Sequence, residues 1–273
     1  QGLVRGKRID SYDNQTGYGF LRIPFGQSTD GPRRFSRPLP AENWTGIRDA
    51  TTKGPACPAD AKSTYKRDEG GPMDEDCLHN YVYSSRRCLE KGGCPVLFVI
   101  HGGAFNFESP VIFNDSVIVH NFASDGQDVV VVLTAYRLAN FGFNNLAPHL
   151  PDIAHTNVAV HDLLLSLQWV QRQVVHYGGD RARLTLFGHS AGAKLADIIS
   201  SSPAFEGLFS QLVLMSGVGT GYPTDHKANY EASWKGAERA GCWDWKGNRE
   251  EREVVEGVME CMRGKTWQEI NLN

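Results

Sequence analysis

The sequence lacks any apolar run long enough to cross a membrane. Its most hydrophobic stretch, residues 129–133, has the length of a strand, whereas a membrane-spanning helix needs about 20 apolar residues. It also lacks an excess of either charge, because 28 lysines and arginines nearly balance 31 aspartates and glutamates, for a formal net charge of −3. That balance favours neither nucleic acid nor an anionic membrane as a partner. We therefore expect a soluble globular chain with no transmembrane segment and no nucleic-acid partner.

The sequence also lacks metal-ligand clusters and repeats, which excludes further classes of protein. No cluster of histidine, cysteine and carboxylate residues has the spacing of metal ligands, so we expect neither a metal nor a cofactor. No internal repeat or low-complexity tract interrupts the sequence, whose apolar fraction of 41% is ordinary for a globular domain. The first residue is Gln1, so we expect either a removed leader or a sequence that begins inside a longer protein.

The six cysteines favour an oxidising compartment, because structural disulfides are rare in the cytosol. Along the chain they form three neighbouring pairs: Cys57 and Cys77, Cys88 and Cys94, and Cys242 and Cys261. Pairing neighbours is only the simplest of many possible connectivities. The alternative is six free thiols in a cytosolic protein.

Three Asn-x-Ser/Thr sequons point to the same compartment as the cysteines. These candidate glycosylation sites are Asn14, Asn43 and Asn114. One such tripeptide arises easily by chance, but three of them together with the cysteines predict a protein that is secreted or held in the secretory lumen.

Short apolar runs bounded by glycine or polar turns indicate strands buried in a parallel sheet. These runs are residues 96–100, 129–133, 184–187 and 212–215, and two further strands are predicted at 17–25 and 79–84. Between the apolar runs, leucines and valines at three- and four-residue spacing predict a long helix that is capped by Asn157 and ends near Gly178. A shorter helix is predicted at 191–201, before Pro203. Strand, crossover helix and strand in alternation predict the α/β class.

The most specific motif is G-x-S-x-G, formed by Gly188, His189, Ser190, Ala191 and Gly192. It lies between a predicted buried strand and a predicted helix, the context in which this motif marks the nucleophile of an α/β-hydrolase. The turn is so tight that the residues two before and two after the serine must be very small, as Gly188 and Gly192 are. Ser190 is therefore the candidate nucleophile. The alternative is an ordinary strand-to-helix turn that happens to contain serine.

A glycine-rich loop follows the strand predicted at residues 96–100. The carbonyl oxygen of an ester becomes negative when a nucleophile adds, and preorganised N–H donors must then hold it. Gly102 and Gly103 let the backbone approach closely and turn its N–H groups inward. The candidate donors of this oxyanion hole are the N–H groups of Gly103, Ala104 and Ala191. The residues expected to support the two turns are Gly102, Gly188, Gly192 and His189.

Segments beyond these two loops match one known family in order along nearly the whole chain. They are Arg34-Phe35, Asp49-Ala50-Thr51, Gly54-Pro55-Ala56-Cys57, Glu75-Asp76-Cys77-Leu78, Tyr136-Arg137-Leu138, Gln168-Trp169-Val170, residues 187–192 and Leu214-Met215-Ser216-Gly217. With these segments the chain resembles the type-B carboxylesterases, a family that includes cholinesterases and secreted esterases. The resemblance implies an α/β-hydrolase fold, with a mostly parallel central sheet flanked by helices. It also implies hydrolysis of a small-molecule carboxylic ester through a serine acyl-enzyme.

The resemblance also implies roles for residues outside the two loops. The implied disulfides are Cys57–Cys77 and Cys242–Cys261. Cys88 and Cys94 are additional, and their spacing suits a hairpin staple. The implied buried ion pairs are Arg34 with Glu75 and Arg137 with Asp162, which we interpret as structural. His189 stands where the family more often has glutamate.

The histidine and acid that would activate Ser190 are not evident in the sequence. In this fold they follow the nucleophile, the acid first and the histidine second. Only His226 follows Ser190, and the acids between them are Asp197, Glu206 and Asp225. Asp225 adjoins His226 in sequence, and Asp197 lies on the helix of the nucleophile, so neither is placed to orient the His226 ring. His101 and His189 adjoin the two loops, where we expect them to support the backbone.

The acid and histidine of the family come from a C-terminal half that is absent here. We therefore expect residues 1–273 to form a single α/β-hydrolase domain that is incomplete at its C-terminus. The sheet would be truncated after the strand that follows the nucleophile helix, which leaves an open edge. The alternative functions are a secreted binding or adhesion relative without catalysis and a cytosolic hydrolase with free thiols.

Overall fold

The computed structural model describes residues 1–59, 72–218 and 226–270. Its strands are β1 (Leu3–Arg5), β2 (Lys7–Asp10), β3 (Thr16–Pro24), β4 (Ile47–Asp49), β5 (His79–Ser84), β6 (Cys94–Ile100), β7 (Val130–Thr134), β8 (Gly179–His189) and β9 (Gln211–Met215). Its α-helices are α1 (Arg86–Lys91), α2 (Asp115–Ile118), α3 (Ala139–Phe143), α4 (Val158–Gln173), α5 (Ala191–Ser200), α6 (His226–Arg239), α7 (Arg252–Gly264) and α8 (Trp267–Ile270). The strands and helices predicted from the apolar pattern are all present, with ends that differ by a few residues.

A seven-stranded sheet in the order β2-β3-β5-β7-β6-β8-β9 forms the centre of the fold, and β1 pairs with β4 separately. The strands β7, β6, β8 and β9 are parallel to one another, whereas β2, β3, β5 and β7 pair antiparallel. The α/β class is confirmed, but the expected mostly parallel sheet is in fact mixed. Antiparallel neighbours need only a tight turn between them, such as the one at Asn14, whereas each parallel pair needs a crossover.

The long helix α4 covers one face of the sheet. Its Leu163, Leu167 and Val170 are fully buried in the same apolar cluster as Phe98 and Val132 of the sheet. The helix continues as a 3₁₀ turn and ends at Gly178, whose φ of 85° is the left-handed conformation expected at a helix end. The predicted cap is wrong, because Asn157 is itself left-handed, with φ 53° and ψ 38°, and its side chain makes no capping hydrogen bond.

A second apolar cluster lies beneath α6 and α7, for which no helix was predicted. Trp234 and Met259 are fully buried there, and Phe35 joins them from the N-terminal part of the chain. The apolar residues of α7 do recur at helical spacing: Val255, Val258, Met259 and Met262. That spacing was the available signal for this helix.

Both buried ion pairs implied by the family resemblance are confirmed. Arg137 donates from Nε to Oδ2 of Asp162 at 2.9 Å and from Nη2 to Oδ1 at 2.7 Å. Arg34 donates in the same two-pronged manner to Glu75. Its remaining nitrogen donates to the carbonyls at the end of α7, those of Met262, Arg263 and Lys265. Carbonyls at the end of a helix lack the donors that a following turn would supply, and among these three the Met262 carbonyl also accepts from the Lys265 N–H. Arg34 supplies further donors there, and its charge complements the helix dipole.

All six cysteines are paired as neighbours: Cys57–Cys77, Cys88–Cys94 and Cys242–Cys261. The hairpin expected between Cys88 and Cys94 is wrong. Cys88 lies on α1 and Cys94 is the first residue of β6, so this disulfide joins a helix to a strand. The third, Cys242–Cys261, joins the segment after α6 to α7, and Cys242 packs against the second apolar cluster. The part of the Cys57–Cys77 loop at 60–71 lies outside the described residues.

The last strand, β9, is an exposed edge of the sheet, as the sequence predicted. Among the described residues its only strand partner is β8. Its apolar side chains are open to solvent, with Leu212 37%, Val213 42% and Met215 50% exposed. Such an edge offers unpaired N–H and C=O groups to another strand. None of the helices described in the structure is long and apolar enough to span a membrane.

Candidate functional site

Ser190 occupies the single residue between β8 and α5. Its φ of 54° and ψ of −117° lie in a strained region of the backbone map, which costs about 1–3 kcal/mol for a residue other than glycine. The strain is maintained by hydrogen bonds on both sides. The Ser190 N–H donates to the Met215 carbonyl at 2.8 Å, and the Ser190 carbonyl accepts from the Lys194 N–H at 3.1 Å. The serine is half-buried at the carboxyl end of β8, at the N-terminus of a helix.

Gly188 and Gly192 are required by the tightness of this turn. A Cβ on Gly188 would overlap the Gly192 carbonyl oxygen and lie 2.5 Å from the Cα of Ala193. A Cβ on Gly192 would overlap the carbonyl oxygens of Ile100 and His101. The first glycine therefore lets α5 turn back against β8. The second lets the same helix pack against the end of β6, where the glycine-rich loop begins.

We expect Gly192→Ala to damage both the fold and the nucleophile. The added methyl group would force α5 away from β6, so the free energy of unfolding should fall by about 1–3 kcal/mol. Labelling of Ser190 by a fluorophosphonate should slow about 100-fold, because small displacements of a catalytic group have effects of that size. The measurements are urea unfolding and the labelling rate of the full-length protein.

The matched control is Gly257→Ala on α7, where an added Cβ has nothing within 4 Å. This variant should label at the wild-type rate, with a stability that is unchanged or higher by up to about 1 kcal/mol. Equal labelling rates for the Gly192 and Gly257 variants would contradict the steric role of Gly192.

The donor loop, residues 101–109, runs directly beside Ser190. A Cβ on Gly102 would lie 3.1 Å from the Cβ of Ser190, so this glycine permits the close approach of loop and turn. Gly103 has φ 88°, and its missing side chain leaves room for the Phe107 carbonyl. Ala104 follows with φ 50°. This irregular backbone turns successive N–H groups in a way that a helix or strand does not.

The N–H groups of the three candidate donors are available for a ligand. Within residues 1–59, 72–218 and 226–270, no hydrogen bond is donated by the N–H of Gly103, Ala104 or Ala191. Ala191 is the first residue of α5, where the N–H of a helix has no partner within the helix. An oxyanion hole requires preorganised N–H donors near the reacting serine, and these three groups remain its candidates.

Buried aromatic groups support the donor loop from behind. The Tyr136 hydroxyl donates to the carbonyl oxygens of His101 and Gly102, at 3.0 and 3.3 Å. The His101 ring stacks on Tyr136 with 4.4 Å between ring centroids, and its Nδ1 lies 3.2 Å from the Gly102 carbonyl oxygen. Burial lowers the pKa of His101 to about 4, although its contact with Gly102 acts in the opposite direction. His101 is thus a neutral support for the loop at neutral pH, as expected from the sequence.

Two residues beside the site, Tyr136 and Glu108, were not identified from the sequence. Tyr136 was named only as part of a segment that matches the family, and Glu108 was not named. Glu108 lies on the donor loop, half-buried, and burial raises the pKa of its carboxyl group above the ordinary value. The available sequence signal for Glu108 was a carboxylate seven residues after His101.

No hydrogen bond joins the Ser190 hydroxyl to any residue that the structure describes. The side chain of His226 and the whole of Asp225 lie outside those residues. Asp197 is on α5, and Glu206 is exposed beyond the end of that helix. The structure therefore brings together the candidate nucleophile, the candidate donors and the supporting residues, and the part of the chain that it describes supplies no base for the serine. No group of three or more potential metal ligands occurs among the described residues.

Comparison with known proteins agrees with this geometry. The family model described as "Carboxylesterase family" matches residues 1–273. The chain belongs to the carboxylesterase family.

Carboxylesterase-family relatives match the chain at about one third identity. The acylcarnitine hydrolase of Rattus norvegicus is 32% identical over 98% of this chain and 47% of its own length. The cocaine esterase of Homo sapiens is 34% identical over 73% of this chain and 36% of its own length. The juvenile hormone esterase of Manduca sexta superposes with a TM-score of 0.81 at 28% identity, over 98% of this chain and 48% of that chain. The expected α/β-hydrolase fold is confirmed, and the chain spans about half the length of the relatives it matches.

Proposed function

We propose that the protein hydrolyses small-molecule carboxylic esters through an acyl-enzyme on Ser190. One observation carries the proposal: a strained serine lies beside three backbone N–H groups that have no acceptor among the described residues. Membership of the carboxylesterase family supports ester hydrolysis in general. The juvenile hormone esterase structure, which carries covalently attached OTFP, supports a covalent mechanism by analogy.

In the proposed reaction Ser190 Oγ attacks the ester carbonyl carbon while its proton passes to a histidine base. The carbonyl oxygen becomes negative and accepts hydrogen bonds from the N–H groups of Gly103, Ala104 and Ala191. The bond to the alcohol oxygen then breaks, and the alcohol leaves with the proton from the histidine. Water attacks the acyl-enzyme by the same route in reverse, releasing the carboxylic acid and restoring the serine.

The histidine and its acid belong, in this proposal, to a part of the protein beyond the described residues. The matched relatives are about twice as long as this chain. The exposed apolar edge of β9 is a natural position for further strands of the same domain. Residues 1–273 would then be one part of a single α/β-hydrolase domain rather than a domain of their own.

We further propose that the protein is a secreted or luminal glycoprotein. The three disulfides support an oxidising compartment. The three sequon asparagines, Asn14, Asn43 and Asn114, are all exposed and therefore accessible to a glycan. Removal of N-glycans by an endoglycosidase should lower the mass of the endogenous protein, and an unchanged mass would contradict this assignment.

The test of the mechanism is labelling of the endogenous full-length protein with a fluorophosphonate probe. Only an activated serine forms the adduct, so we expect stoichiometric labelling of the peptide that contains Ser190 and none of a Ser190→Ala variant. Prior treatment with a slow ester substrate should protect the serine. A folded full-length protein that does not label would overturn the enzyme proposal and favour a non-catalytic binding relative.

A further inference from the structure

The Tyr136 side chain reaches the donor loop from the core of the protein. Its hydroxyl donates to the carbonyl oxygen of His101 at 3.0 Å and to that of Gly102 at 3.3 Å, so one proton is shared between two successive carbonyls. The ring is fully buried. The two acceptors come immediately before the candidate oxyanion donors, Gly103 and Ala104, in the chain.

The geometry of the peptide unit connects the Gly102 carbonyl to the Gly103 N–H. Both groups belong to one planar unit, and in a trans peptide they point in opposite directions. No peptide bond among the described residues is cis. Because the Gly102 carbonyl accepts from the buried Tyr136 hydroxyl, the Gly103 N–H points away from that hydroxyl. Tyr136 therefore influences the direction of a donor that it does not contact.

A peptide unit between two glycines needs such a restraint. Glycine adopts positive and negative φ about equally well, so the unit between Gly102 and Gly103 rotates more easily than the others in the donor loop. Gly103 has φ 88°. Rotation by half a turn would exchange the N–H for the carbonyl oxygen, whose partial negative charge would repel an oxyanion. The Tyr136 hydroxyl opposes this rotation, because the rotation would remove one of its acceptors.

Tyr136 is itself held in place on both sides. Its ring stacks on His101, with 4.4 Å between the centroids and 18° between the planes. The backbone N–H of the next residue, Arg137, donates to Oδ2 of Asp162 at 3.1 Å. Burial raises the pKa of Tyr136 well above its ordinary value, and the charge of Glu108 acts in the same direction. The hydroxyl therefore keeps its proton and remains a donor at neutral pH.

We propose that Tyr136 is a positioning residue, which holds the Gly102–Gly103 peptide unit with its N–H directed to the oxyanion. The hydrogen bond to the carbonyl also polarises that unit, which strengthens its N–H as a donor. This role rests on the proposed function, since the direction of the Gly103 N–H affects the rate only if that group stabilises an oxyanion. An oxyanion donor is effective when it is held in place before the reaction begins.

The kinetic test is Tyr136→Phe in the full-length enzyme, with active sites counted by fluorophosphonate labelling. The change removes the hydroxyl and keeps the ring that stacks on His101. We expect kcat for a chromogenic ester to fall about tenfold while KM stays within about twofold. The effect should be smaller than the loss of about 100-fold or more caused by removing an oxyanion donor, because the donor remains and only its restraint is lost.

An inhibitor that forms an oxyanion tests the same role independently of turnover. A trifluoromethyl ketone adds to a reactive serine and places a negative oxygen where the reaction would develop one. Its inhibition constant should rise about tenfold in Tyr136→Phe, in parallel with the fall in kcat. A fall in kcat with an unchanged inhibition constant would overturn the proposal.

Tyr83→Phe is the matched control for the loss of a buried tyrosine hydroxyl. Tyr83 is also fully buried, and its hydroxyl donates to Asp115 at 2.9 Å in a different apolar cluster. This variant should have a lower melting temperature but unchanged kcat and inhibition constant. If Tyr136→Phe likewise lowers only the melting temperature, its role is purely structural and the proposal is overturned.

A further measurement requires no catalysis. In protein labelled with ¹³C at the glycine carbonyl carbons, loss of an accepted hydrogen bond should move the Gly102 resonance upfield in Tyr136→Phe. The resonance of Gly257, on α7, should not move. An unchanged Gly102 resonance would overturn the positioning role. Failure of Ser190 to label in the wild-type protein, with a shifted Gly102 resonance in the variant, would overturn only the proposed function, so the two failures are distinguishable.

Discussion

Replacing Ser190 by alanine should lower the rate of ester hydrolysis by the full-length protein about 10⁶-fold in kcat. The change removes one oxygen atom, the one that bonds to the acyl group in the proposed reaction, and it leaves the N–H groups of Gly103, Ala104 and Ala191 in place. The small activity that remains would come from those donors and from substrate binding. Hydrolysis of a chromogenic ester, measured in protein with the wild-type melting temperature, gives the result.

Ser200→Ala is the matched control, because Ser200 is exposed at the far end of the same helix and donates only to the Asp197 carbonyl. It should keep the full wild-type rate. If Ser190→Ala retained more than about one hundredth of that rate, the reaction would have to use a different nucleophile, and the assignment of Ser190 would fail.

The largest effect on stability is expected from Asp162→Asn. Arg137 would remain 2% exposed at its side chain without a counter-charge, and an unpaired buried charge costs about 3–5 kcal/mol of unfolding free energy. The substitution should also disturb the donor loop of the candidate active site. Two residues after Arg137, the Ala139 N–H donates to the Phe105 carbonyl of the donor loop at 2.8 Å. Urea unfolding gives the free energy, and the labelling rate of Ser190 reports on the loop.

Two controls separate the buried charge from the loss of contacts. Asp152→Asn removes one member of an exposed pair with Arg252, and it should leave the unfolding free energy nearly unchanged. Replacing both buried partners, with Arg137→Met and Asp162→Leu together, should cost much less than Asp162→Asn alone, because no unpaired charge remains. A single variant as stable as the double would mean that the unpaired charge of Arg137 carries no extra cost in this fold.

The elements that the sequence predicted correctly depend on residues near one another in the chain. Apolar runs of strand length and leucines at helical spacing reflect local burial, so β6, β7, β8 and α4 could be placed before the structure. The elbow was predictable for the same reason. The turn must be tight, and only glycines at 188 and 192 avoid the carbonyls that surround it.

The errors concern a helix cap, the direction of strand pairing and one disulfide. The capping residue type is a local signal, but Asn157 is left-handed in the structure and its side chain makes no capping hydrogen bond. Whether two neighbouring strands run parallel or antiparallel depends on which strands pair in the sheet. The apolar content of a strand does not indicate its partner. The hairpin expected at Cys88–Cys94 is a helix followed by a strand, since Ser85 caps α1 by accepting from the Cys88 N–H.

The sequence by itself determined the α/β class, the glycines that the two turns require and, with the family resemblance, the ion pairs and two of the disulfides. Each is fixed by local sterics or by a motif read along the chain. Ser190 as the nucleophile stays a prediction. Only the tertiary structure decided that the Tyr136 hydroxyl holds two loop carbonyls, those of His101 and Gly102. Tyr136 is 34 or more positions from both residues in the chain, and the pairing of β6 with β7 brings them together. Contacts of that kind arise from the order of strands in the sheet, which no short segment of sequence specifies.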